Sequence, residues 1–220
     1  MHMDKHLDVA RLTELADFLK TAQPDLVRDA TVAHRELTVL CRKQEIVKLL
    51  TFLRDDKTCQ FKQLIDVCGV DWLGRDGERF DVVYHLLSLI KNLRLRVKVQ
   101  VAEGDSVPTV TGVFASANWY ERETYDMYGI PFEDHPDLRR ILTDYDFDGF
   151  PLRKDFPLEG KVEMFYDAQQ ARCVYKPVSL PQEFRHFDRV STWQGMTNNR
   201  HLAEEDNTFD SDDFKKEAKA

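Results

Sequence analysis

Apolar residues recur at helical spacing at Leu12, Leu15, Ala16 and Leu19, and Pro24 ends that first predicted helix. Two short strands follow at Leu26 to Val32 and Leu37 to Cys41, on either side of a polar turn at Ala33 to Glu36. Ile46, Leu49, Leu50 and Leu53 then mark a second amphipathic helix. Val67 to Leu73 is an apolar run, the GRDG stretch from Gly74 to Gly77 reads as a turn, and Phe80, Val82, Tyr84 and Leu86 continue as a strand. The clearest alternation runs from Leu93 to Val101. Leu93, Leu95, Val97, Val99 and Val101 form its apolar face, and Arg94, Arg96, Lys98 and Gln100 its polar face, so one face is buried and the other wet. The order helix, two strands, helix, three strands predicts a two-layer α+β domain.

The pattern changes at Trp119. From there to Gly160 the chain reads WYERETYDMYGIPFEDHPDLRRILTDYDFDGFPLRKDFPLEG, dense in both charge and aromatic groups. Its first dozen residues predict a helix, with Asn118 as N-cap, Glu121 completing a capping box, and Gly129 and Pro131 as the stop. From Pro131 to Pro157 there is no sustained apolar period, and four prolines point to extended, turn-rich backbone. Disordered segments are poor in aromatics. This one holds Phe132, Tyr145, Phe147, Phe150 and Phe156, enough apolar surface to be ordered against another protein. Beyond it, Val162 to Tyr166 and Arg172 to Val178 read as a hairpin around Asp167 to Ala171. From His201 on, seven acids face three lysines, with Leu202 and Phe209 among the few sizeable apolar groups, so the end reads as a solvated tail. The expected division is an α+β domain over 1–130, an extended partner-wrapping segment with a hairpin over 131–200, and an acidic tail over 201–220.

Glu121-Arg122-Glu123, Asp126-Met127-Tyr128, His135, Arg139 and Arg140-Ile141-Leu142 together resemble the signature of the 30-kilodalton subunit, or C-subunit, of respiratory complex I. Thr143-Asp144-Tyr145, the stretch from Pro151 to Leu158, and Gln182-Glu183-Phe184-Arg185 with Phe187-Asp188 and Trp193 extend the resemblance. Asp146 stands where such proteins usually carry Gly, Phe150 where they carry His, and Tyr125 in place of a common Trp. The resemblance implies a non-catalytic scaffold in the peripheral arm of a proton-pumping NADH:quinone oxidoreductase. It implies no cofactor on this chain, with FMN and iron-sulfur clusters on other subunits. The implied partners are chiefly the D-subunit of the quinone module and cluster-bearing neighbours, with NADH and quinone met only through the complex. The implied location is peripheral, on the cytoplasmic side of a bacterial inner membrane, or on the matrix side for a processed organellar chain. The residues expected to dock partners are Glu121, Arg122, Glu123, Asp126, His135, Arg139, Arg140, Arg153, Lys154 and Asp155. The same module would also suit a related membrane-bound hydrogenase.

Composition narrows the other readings. A formal net charge of -8 over 220 residues argues against nucleic acid as the main partner, and the basic stripe Arg94, Arg96, Lys98 carries no interleaved aromatics. No run approaches the ~18 apolar residues of a membrane span. Cys41, Cys59, Cys68 and Cys173 form no CxxC pair and have no histidine at ligand spacing, so no metal site is expected and the thiols read as reduced and inert. There is no GxGxxG, no GxxxxGK[ST] and no cysteine cluster for a nucleotide, flavin or iron-sulfur centre.

Asp144, Asp146, Asp148, Gly149 and Asp155 match a calcium-loop template, and a calcium-binding module at 144–155 is one alternative. Against it stand a short Asp at the twelfth place, Pro151, the added charges of Arg153 and Lys154, and Phe156-Pro157 where a helix should exit. Glu121 and Glu123 are two apart on a helix and point to different faces, which opposes an acid–base pair; Arg122 and Asp126 are placed for an i, i+4 ion pair. His85, alone on a strand, reads as a framework residue, and no nucleophile motif accompanies any histidine; a free-standing hydrolase, the remaining alternative, would be active as an isolated monomer.

Overall fold

The computed structural model describes residues 5–182, with side chains from residue 9. Helix α1 (Lys5–Ala22) leads into a hairpin of β1 (Val27–Ala33) and β2 (Glu36–Cys41). The two central turn residues, His34 and Arg35, both have positive φ, at 50° and 64°. A two-residue turn of this hand matches the right-handed twist of the strands it joins. A 3-10 turn at Lys43–Glu45 precedes α2 (Ile46–Asp55), and the strands β3 (Gln63–Asp71), β4 (Phe80–Ser88) and β5 (Leu93–Val101) complete a sheet of order β1-β2-β5-β4-β3. Only β2 and β5 are parallel within it.

The alternation in β5 fixes which face is covered. Leu95, Val97, Val99 and Val101 lie beside Leu37, Val39 and Cys41 of β2 and Phe80, Val82, Tyr84 and Leu86 of β4, all buried. Ile46, Leu49, Leu50 and Leu53 of α2 and Leu12, Leu15 and Leu19 of α1 close over that face. Each such side chain contributes roughly 1.5 to 3 kcal/mol by leaving water. The opposite face carries Asp66, Cys68, His85, Thr38, Arg96 and Lys98, half-exposed, and no helix among the described residues covers it. The architecture is therefore the two-layer α+β fold that the element order predicts.

After β5 come β6 (Val107–Pro108), α3 (Ala117–Tyr128) and β7 (Phe132–Glu133), with β6 and β7 paired in parallel. This small pair has no periodic signature, because two residues are too few to show one. The residue before α3 is Ser116, in helical conformation and without a side-chain cap, so Asn118 sits inside the helix rather than at its start. Gly129 does stop it: its φ of 72° is left-handed, and its N–H donates to the Tyr125 carbonyl at 2.8 Å.

The first compact unit runs on to Leu158, past the expected boundary at residue 130. The extended stretch is pinned to the α+β core by its own backbone. The Leu152 N–H donates to the Met127 carbonyl at 3.2 Å, and the Lys154 N–H donates to the Asp71 carboxylate at 2.8 Å.

The second unit begins at Glu159. Its described part is the hairpin of β8 (Val162–Asp167) and β9 (Arg172–Pro177), joined through Ala171 at a φ of 52°. No residue of this ribbon is buried, and Val162, Met164, Phe165, Tyr166 and Tyr175 are exposed. The motif at Glu183-Phe184-Arg185, Phe187-Asp188 and Trp193, and the tail over 201–220, lie outside the described residues.

Candidate partner interface

The charges of the signature face largely inward. Glu121, one turn into α3, points at the loop between β6 and α3. Its carboxylate accepts the Val110 N–H at 2.8 Å and the Thr109 hydroxyl at 2.5 Å. The side chains of Glu121 and His135 are both fully buried, with His135 Nε2 3.9 Å from the carboxylate. His135 is held in place by the Asn118 carbonyl, 3.2 Å from Nε2, and by the Asp137 N–H, which donates to Nδ1 at 3.1 Å. Burial pushes the Glu121 carboxyl up to about 7, against the pull of its two donors.

Asp126, one turn further on, has the opposite character. It too is fully buried, and burial alone would raise it. Yet it accepts the Thr143 hydroxyl at 2.5 Å, the N–H groups of Ile141, Leu142 and Thr143 at 3.0, 2.7 and 3.0 Å, and Arg140 Nη1 at 2.9 Å. These donors hold it down at about 2. The expected i, i+4 pair with Arg122 does not form. Arg122 instead donates to the carbonyls of Arg139 and Arg140 and lies over the Trp119 ring, because the chain from 139 to 143 folds back across the helix.

Arg140 is the centre of this return. It donates to Asp126, Thr143 and the Gly149 carbonyl while lying over Phe147 and Phe150. Phe150 presses on Gly129 so closely that a Cβ there would come within 2.6 Å of the ring. Arg153 then donates to the Tyr128 carbonyl at 2.6 Å and to Glu103 at 2.8 Å, between the rings of Phe80 and Phe150.

Arg79 gathers the far end of the segment. It makes a two-pronged bond with Asp71, 2.8 Å on each side, and reaches Asp155 at 3.0 Å. The arginine lowers both carboxyls. Asp155, the twelfth position of the calcium-loop template, is thus committed to a guanidinium.

Of the ten residues expected to dock partners, Glu121, Arg122, Asp126, His135, Arg140, Arg153 and Asp155 are bonded within this unit. Glu123, Arg139 and Lys154 are exposed, with Arg139 paired to Asp137 at 2.9 Å and Lys154 beside the Trp72 ring. Sequence reasoning does not anticipate the partner roles of Arg79, Asp71 and Thr143. Arg79 stands next to Phe80 at a strand start, where a charge reads as solvated, and only the register Asp71 opposite Phe80 reveals its partner.

Several known proteins are similar to this chain over most of its length. Residues 39–162 match the family model described as respiratory-chain NADH dehydrogenase, 30 Kd subunit. The NADH-quinone oxidoreductase C-subunit 1 of Rhizobium meliloti is 59% identical over 184 residues, covering 84% of this chain and 91% of that protein. The C-subunit of Paramagnetospirillum magneticum is 57% identical over 84% of this chain and 92% of its own length. Among solved structures, a trypsin-resistant fragment of Nqo5 is similar over 58% of this chain and 99% of its own, with 33% identity and a TM-score of 0.49.

Proposed function

Because the chain belongs to the family of the 30-kilodalton subunit of respiratory-chain NADH dehydrogenase, we propose that it works as a non-catalytic scaffold in the peripheral arm of a proton-pumping NADH:quinone oxidoreductase. The observation that carries this reading is the agreement over 184 residues with a protein named as the C-subunit of that enzyme, spanning 91% of its length. The electron carriers, FMN and iron-sulfur clusters, reside on other subunits. The D-subunit of the quinone module is the principal partner, with cluster-bearing subunits beside it. Within the complex this chain lies on the cytoplasmic side of a bacterial inner membrane. No helix among the described residues is long and apolar enough to cross one.

Scaffolding suits the division of labour along the second half of the chain. The buried charges shape residues 131–158 from beneath, leaving Glu123, Arg139 and Lys154 to meet a partner. The exposed aromatic hairpin supplies apolar area. A two-stranded ribbon is marginal in water alone, and clustered exposed apolar groups mark contact surfaces.

The test is a mild-detergent purification on this chain, with mass spectrometry of the partners and an NADH:quinone assay. Flavin and iron-sulfur subunits with inhibitor-sensitive activity are expected. Recovery of nickel-iron hydrogenase subunits, or of an active monomer, would overturn the reading.

A further inference from the structure

We propose that Asp66, Cys68 and His85 form a binding site for a divalent transition-metal ion of the zinc class on the open face of the sheet. One carboxylate oxygen, the Cys68 Sγ and one imidazole nitrogen all lie within 4.8 Å of one another. The arrangement follows from strand geometry. Asp66 and Cys68 are two apart on β3 and so share a face, while the register sets His85 of β4 directly across from Asp66. A cysteine, a histidine and a carboxylate are three of the ligand types zinc takes, and a three-ligand site leaves a fourth position for water. Bonds of roughly 2.0 to 2.3 Å would draw the three atoms together by rotation of half-exposed side chains, with no change in the strands.

The charges around the site are compatible with a cation. A thiol binds such an ion as the thiolate, so an arriving metal displaces the Cys68 proton to solvent. The resulting thiolate and the Asp66 carboxylate together balance a double positive charge. Arg96 is the nearest competitor, donating from Nε to His85 Nε2 at 3.3 Å. Its other nitrogens are engaged elsewhere, by the Thr38 hydroxyl at 3.3 Å and by Glu36. His85 Nδ1 faces Asp66 at 3.7 Å. On metal binding, the Arg96 Nε contact gives way while the guanidinium stays anchored on the β2 side.

Cobalt(II) is the probe, because a thiolate ligand gives it a near-ultraviolet charge-transfer band. Titrating the purified full chain should produce that band with a one-to-one end point, and the band should persist in Cys173→Ser, which removes the exposed thiol. Cys68→Ser should abolish it, with the circular dichroism of the fold unchanged. His85→Ala should weaken binding by at least about tenfold, as even outer-shell changes do at metal sites. Absence of the band in the folded chain, its persistence in Cys68→Ser, or its loss in Cys173→Ser would each overturn the assignment.

Discussion

Asp126 of α3 and Arg140, fourteen positions further on, meet at 2.9 Å in the interior, and that pair decides how the extended segment lies on the helix. Breaking a buried pair by removing one charge is costly because the remaining guanidinium loses its partner. Asp126→Asn is therefore expected to cost about 3 kcal/mol. Protease cleavage between 139 and 150 should rise sharply, since the three N–H groups of residues 141–143 lose their carboxylate as well. The measurement is urea unfolding with limited proteolysis. An unchanged cleavage pattern would mean that the segment is held by its aromatic contacts alone.

Glu121 gives a pH dependence of opposite sign. Its folded value of about 7 lies above the ordinary 4.5. The folded state thus binds the extra proton between those values, and stability falls as pH rises from 4.5 to 7. The expected loss is on the order of 2 to 3 kcal/mol. Glu121→Gln cannot titrate, can still accept the Val110 N–H, and can turn its amide to the Thr109 hydroxyl oxygen. It should match the native chain at pH 5 and exceed its stability at pH 8 by about 2 to 3 kcal/mol. Equal slopes in the two proteins would show that Glu121 is not the titrating group.

How much of this is legible in the sequence differs by element. The β5 alternation and the α2 stripe carry the two-layer fold, because a half-buried strand and an amphipathic helix write their period into the chain. The β8–β9 hairpin is equally plain. The destination of the signature charges is not. An acid on a helix looks the same whether it faces water or, like Asp126, collects three backbone N–H groups from a loop that has no period of its own. Expectation makes these residues docking groups; the fold uses most of them internally. Asp66, Cys68 and His85 are hidden for a related reason: only the β3–β4 register brings them together.

Gly69 shows a consequence of close packing that sequence does not reveal. A Cβ at this position would lie 2.6 Å from Cδ2 of Tyr128, which packs flat on β3. Gly69→Ala must displace the ring, and overpacking of this kind costs roughly 1 to 3 kcal/mol. In Tyr128→Leu the same substitution should cost less, because the aromatic ring is gone. A double-mutant cycle by thermal unfolding reads the coupling directly, and additive effects would place the strain elsewhere.

Truncation separates the two halves of the clasp. A chain ending at Gly129 stops at the domain boundary that the sequence pattern predicts, but it would lose much that the core uses. Asp126 would lose Arg140 and the N–H groups of residues 141–143, Arg79 would lose Asp155, and Val107 would lose its pairing with Phe132. A buried carboxylate without donors costs several kcal/mol, a large share of a domain's net stability. A chain ending at Leu158 keeps every one of these contacts, since the compact unit closes there. The longer form should unfold cooperatively near the native midpoint yet fail to enter the complex, having lost the exposed aromatic hairpin. The shorter form should be markedly less stable or insoluble. Normal assembly by the longer form would show that residues up to 158 suffice for docking, and native-like stability in the shorter form would show that the buried charges serve a partner rather than this fold.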